Sequence, residues 1–205
     1  MKHLKMLGLA AVAAMALTSF AAGSASATVL CKTETNPCNS KWLAGTELRF
    51  SLKSGTSAIW RGEFGETLKT CTGADLRGKI SNAGSATETV KIQISENSWT
   101  GCTVPTVTLK LGELEIHSIT GSTNGTMTMR GAEFTTNDSF FGDCSYGTGT
   151  GIDLGTLTSS GTGDAVIDVA ATLLPTGLGC CPKVSWSEQF TLTSPGGTAL
   201  FVEPS

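Results

Sequence analysis

The chain has 205 residues, a formal charge of −3, 15% charged residues and seven cysteines. It carries no basic cluster, which argues against nucleic acid as a partner. Beyond the first 27 residues nothing approaches the ~18 consecutive apolar residues that a membrane-spanning helix needs.

Residues 1–27 read as a secretory signal peptide. Lys2, His3 and Lys5 form the charged start, Leu7 to Phe20 the apolar stretch, and Ala25-Ser26-Ala27 a small-residue cleavage site. Cleavage there predicts a mature chain starting at Thr28, secreted to the extracellular side, where close thiols become disulfides. Cys31 follows closely, but Leu30 in front of it does not fit a lipoprotein signal, so a soluble, released protein is expected. Residues 28–205 are long enough for one domain with a real core.

From Thr28 onward the pattern is all-β. Thr46 to Lys53 alternates, with Leu48, Phe50 and Leu52 on one face and Glu47, Arg49 and Lys53 on the other, as a half-buried strand requires. Thr87 to Ser95 repeats this through Val90, Ile92 and Ile94, as do Glu113 to Ile119, Thr126 to Arg130 through Met127 and Met129, and Val184 to Thr193. Ala165 to Leu174 is the one helix candidate. Its Val166, Ile167, Val169 and Thr172 are β-branched, which favours a strand buried on both faces. Asn124-Gly125 predicts a two-residue type I′ hairpin turn, and Gly131 and Gly155 interrupt strands as bulges do. Some ten to twelve short strands predict a disulfide-stapled β-sandwich or jelly roll, mostly antiparallel. An outer-membrane barrel shares the alternation but wants aromatic girdles, and Tyr146 is the only tyrosine.

The cysteines are Cys31, Cys38, Cys71, Cys102, Cys144, Cys180 and Cys181. Cys31 and Cys38 bracket a short Pro-containing loop and should pair. Cys71 and Cys144 each open an eight-residue segment ending in glycine, and each is followed by a strand and then Gly-Cys. If this marks two duplicated halves, Cys71 pairs with Cys102, and Cys144 with Cys180 or Cys181. The odd thiol is expected to be inert, with a disulfide-linked dimer as the alternative. No pair has the spacing of a zinc knuckle.

Candidate chemistry is sparse, and no catalytic, cofactor or metal residue is assigned. His117 shares a strand face with Glu113 and Glu115, which reads as a solvated polar face. Glu188 shares a face with Trp186, Phe190 and Leu192, which places it at a sheet edge or buried with a raised pKa, the edge being favoured. Asp143, Asp153, Asp164 and Asp168 invite a calcium reading without matching a known loop spacing. Trp42, Trp60 and Trp99 are candidates for a sugar-stacking platform or for core packing.

Several segments resemble a group of uncharacterised exported bacterial all-β proteins: Ala27-Thr-Val-Leu-Cys31, Asn36-Pro-Cys38, Ser51-Leu-Lys-Ser-Gly-Thr56, Asn82 to Val90, Cys144-Ser-Tyr-Gly147, and Trp186 leading to Thr193-Ser-Pro195. The resemblance implies export and β architecture. Its members carry further cysteines near Val104 and Asn137 that this chain lacks, which leaves the partner of Cys144 open. The sequence thus predicts a secreted binding protein or structural envelope component acting on an unknown extracellular ligand. Its alternatives are a small carboxylate-dependent hydrolase and a calcium-dependent binding module.

Overall fold

The structure is a computed structural model describing residues 27–138, 142–161, 164–177 and 181–204. Its strands are β1 (Thr28–Cys31), β2 (Glu47–Leu52), β3 (Ala58–Arg61), β4 (Thr67–Ser85), β5 (Glu88–Cys102), β6 (Thr106–Ser118), β7 (Gly125–Asp138), β8 (Gly142–Gly147), β9 (Ile152–Thr158), β10 (Asp164–Pro175), β11 (Val184–Thr193) and β12 (Phe201–Pro204). All pairings are antiparallel, as expected.

The predicted sandwich or jelly roll gives way to a closed barrel. Strands β2 and β3 each pair with both β4 and β11, and together they make one interrupted stave. Strands β8 and β9 do the same between β7 and β10. With β4, β5, β6, β7, β10 and β11 these complete an eight-stave, up-and-down ring. Alternation alone cannot separate the two architectures, because an inward face looks the same whether it meets a second sheet or its own far wall.

The interior is apolar, built from Leu48, Phe50, Ile80, Val90, Ile92, Ile116, Leu157, Ile167 and Leu192, each at most 2% exposed. The outer face carries charge, including the Arg49–Asp75 pair and a network in which Glu115 meets Lys91 at 3.0 Å and Arg130 at 2.9 Å. A lipid-spanning barrel has the opposite polarity. Among the described residues no helix is long and apolar enough to cross a membrane.

One end, the base, is plugged by the β1–β12 ribbon, which adds Leu30 and Val202 to the core. Ser118 N donates to Thr28 Oγ1 at 2.9 Å, and Val202 N donates to the Thr123 carbonyl at 2.9 Å. Gly84, at φ +77°, lets β4 pass beside the Thr28 carbonyl, where a Cβ would lie 1.7 Å from that oxygen.

Two local expectations are corrected. Gly125 is the first residue of β7, paired with Ser118, so Asn124-Gly125 closes a longer loop rather than a two-residue turn. The Asn124 side chain is instead engaged, accepting a hydrogen bond from Ser159 N at 2.9 Å. Strand β10 alternates buried and less buried positions instead of burying both faces, because its outward side forms the barrel wall. Gly155 does sit at a bulge, where a Cβ would lie 1.9 Å from the Asp168 carbonyl.

Candidate functional site

Three disulfides form: Cys31–Cys38 at the base, and Cys71–Cys102 and Cys144–Cys181 toward the opposite end, the mouth. Cys181 is therefore the partner of Cys144, and Cys180 lies outside the described residues. The last two bridges differ in setting. Cys71 and Cys102 face one another across the β4–β5 hairpin, whereas Cys144 on β8 reaches the segment before β11.

The mouth is built by an aromatic cluster. Trp60 on β3 lies between Trp186 of β11 and Lys69 of β4 in one register row. The Trp60 and Trp186 rings stack at 6.0 Å, Trp99 meets Trp60 edge-on at 5.1 Å, and Phe134 and Tyr146 extend the cluster across β7 and β8. Trp60 and Trp99 thus come together as a site, while Trp42 sits at the base with Lys32 over its ring. Trp186 joins the cluster although it lies more than 80 residues from Trp99 in sequence.

The barrel wall parts beside this cluster. The β5–β6 ladder runs from Val90–Ile116 to Gln93–Glu113, and nearer the mouth side chains bridge the strands instead. Gln93 Nε2 donates to the Gly112 carbonyl at 2.7 Å, and Asn97 Nδ2 donates to Thr108 Oγ1 at 3.2 Å. The gap holds a cleft of about 460 Å³, counted out to solvent, walled by Trp60, Trp99, Trp186, Phe134, Met129 and Leu111. Lys110 and Glu133 form its rim as a 2.7 Å ion pair.

Among the described residues, four buried polar atoms on side chains lining this cleft complete no hydrogen bond: Trp60 Nε1, Trp186 Nε1, Asn97 Oδ1 and Thr106 Oγ1. Each orphan of this kind costs about 1–3 kcal/mol when left unmade. The Trp60 indole supplies a donor, the Asn97 amide oxygen an acceptor and the Thr106 hydroxyl either role around an aromatic-walled space, while the Trp186 indole lies toward the Glu188 carboxyl.

Beneath the cluster lie two buried ionisable groups, Lys69 at 1% and Glu188 at 6% exposure. The sheet-edge reading of Glu188 is thereby overturned. Position 188 falls inside a closed ring, where its face has no edge from which to reach water. Burial pushes the Glu188 carboxyl well above the usual carboxylate range. The neighbouring Trp186 side chain and the Lys69 charge pull the other way, yet among the described residues neither carboxyl oxygen completes a hydrogen bond. Burial lowers Lys69 to about 8, opposed by the Glu188 charge. The charged neighbour of Glu188 is thus an amine rather than the second acid that a two-carboxylate hydrolase requires.

The remaining candidates do not converge. His117 faces outward beside Glu115, with Nε2 3.9 Å from its carboxylate and 3.5 Å from Thr128 Oγ1. Glu115 itself is buried beneath Lys91 and Arg130, so that face is less solvated than alternation suggests. Asp143 accepts from Asn137 Nδ2 at 2.8 Å, Asp164 accepts from Thr193 Oγ1 at 3.2 Å, and Asp168 is bonded to Gln189. Among the described residues no group of three or more His, Cys, Asp or Glu is placed to hold a metal ion.

Lys69 escaped the sequence reading. Thr72 and Gly73 together separate inward Cys71 from inward Ala74, so the alternation slips by one residue along β4. Counting back from Leu76 and Ile80 therefore puts Lys69 outside. The available signal was Cys71, since a lysine two residues before a buried cystine on the same strand shares its face.

Comparison with described protein families, with curated proteins and with solved structures finds no match for this chain.

Proposed function

We propose that this chain is an exported binding protein whose barrel mouth takes a small planar, largely apolar ligand bearing at least one hydrogen-bond donor and one acceptor. The observation that carries this reading is the set of four orphaned polar atoms around the aromatic cleft. Pockets for small molecules are mostly apolar with a few convergent polar groups, and the mouths of β-barrels are a recurrent place for them. The parted β5–β6 wall gives an entry that does not require opening the ring. Export rests on the leader-like first 27 residues, and three disulfides fit an oxidising compartment.

The test is calorimetric titration of the disulfide-intact mature protein with 1-naphthol, 1-naphthamide and indole-3-carboxamide, alongside Trp99→Ala. Saturable binding to the parent, weakened at least about tenfold in the variant, is the expected result. The reading fails if none of the three binds saturably, or if removing the Trp99 ring leaves affinity unchanged.

A further inference from the structure

Lys69 lies across Trp60 from Trp186 in the register row, and it does not line the larger cleft. Its ammonium is 4.3 Å from the Trp60 ring centroid and 5.7 Å from that of Trp99. Ring faces stabilise a cation but accept none of its three N–H bonds in the way an oxygen does. Nζ is buried and has no hydrogen-bond partner among the described residues. The residue lines a second, narrower cleft, about 290 Å³ counted out to solvent, whose walls include Trp60, Leu68, Val104, Tyr146 and Val184 and, among the described residues, contain no acidic side chain. Asn137, at its edge, has its amide engaged by Asp143. The titratable group whose charge reaches Lys69 is Glu188 on β11, and that carboxyl makes no ion pair with it.

A buried ammonium with free donors, in an apolar cleft without an acid, has one unmet requirement, a compact anion. We propose that this second cleft is a carboxylate-binding pocket, in which a small apolar monocarboxylate seats its hydrocarbon against the aromatic wall and its anion on Lys69 Nζ. The Glu188 carboxyl, held toward its protonated form by burial, is a poor internal counter-ion and leaves the place to the ligand. Charge-assisted bonds are the strong ones when both partners leave water together, so the anion should be preferred over an uncharged molecule of equal shape. The proposal does not require the larger cleft to be occupied, and the two readings fail separately.

Benzoate and benzamide, alike in shape and different in charge, are titrated into the disulfide-intact protein by calorimetry at neutral pH. Benzoate should bind at least about tenfold tighter than benzamide. Lys69→Met and Lys69→Gln should erase that preference while leaving 1-naphthol binding in the larger cleft unchanged. An arm without variants compares pH values below and above about 8, where the ammonium gives up its proton. Across that interval benzoate affinity should fall while benzamide affinity stays level. Equal affinity for the two probes, a benzoate preference that survives both Lys69 variants, or an affinity ratio insensitive to pH in the parent protein would each overturn the proposal.

Discussion

Burying Lys69 should leave a mark on stability that is independent of any ligand. Its amine falls from 10.5 to about 8 on folding, chiefly because burial disfavours the charged form. Between those values the unfolded chain binds a proton that the folded chain does not, so stability rises with pH across that window. At 1.36 kcal/mol per decade the whole rise is about 3 kcal/mol. Glu188 titrates in the opposite sense, since its raised folded value makes it a source of stability at low pH that is lost as pH climbs. Glu188→Gln therefore serves as the parent, and the double variant Lys69→Met/Glu188→Gln as the comparison. Without the Glu188 charge the folded amine loses its one raising influence, so its value lies at or below about 8. Urea unfolding of both proteins from about pH 6 to pH 10, with disulfides intact, should show the parent gaining roughly 3 kcal/mol on the double variant. Curves that run parallel across this range would mean that Lys69 reaches water in the folded state, and the buried-amine description of the mouth would be wrong.

Three further outcomes follow from the same structure. Replacing Cys71 and Cys102 together by serine opens a loop of 31-residue separation and should cost about 3.7 kcal/mol in the chain-entropy model, read from the denaturant midpoint; a cost under about 1 kcal/mol would contradict it. Gly155→Ala places a Cβ 1.9 Å from the Asp168 carbonyl at φ +145° and should destabilise by at least about 2 kcal/mol, visible as a lower melting temperature. His117→Gln keeps the outward polar contact to Thr128, and Lys91 and Arg130 already serve Glu115. It should shift stability by no more than about 0.5 kcal/mol at neutral pH, and a loss above about 2 kcal/mol would show that the histidine is a structural partner of the buried Glu115.

Much of the wall was legible along the chain. The inward positions Leu48, Phe50, Val90, Ile92, Met127 and Met129 follow directly from period two, because a strand offers one face to the core whatever that core turns out to be. The partners Cys31–Cys38 and Cys71–Cys102 were also readable, since a short loop and a repeated spacing limit the choices. The site was only half visible. Trp60, Trp99 and Glu188 each stood out as residue types, but nothing local says that β3, β5 and β11 bring them to one end.

The sequence by itself determined an all-β chain, the faces of its strands and most of its cysteine pairing, because alternation and loop length act over a few residues. Only the tertiary structure decided that the sheet closes on itself, since closure depends on how far-apart strands such as β11 and β2 meet. Closure in turn removed the edge at which Glu188 was expected, and it enclosed Lys69 as well, against Trp60 and Trp99. The cost of burying those two groups is set by the whole ring excluding water around them, a property that no single strand of this chain encodes.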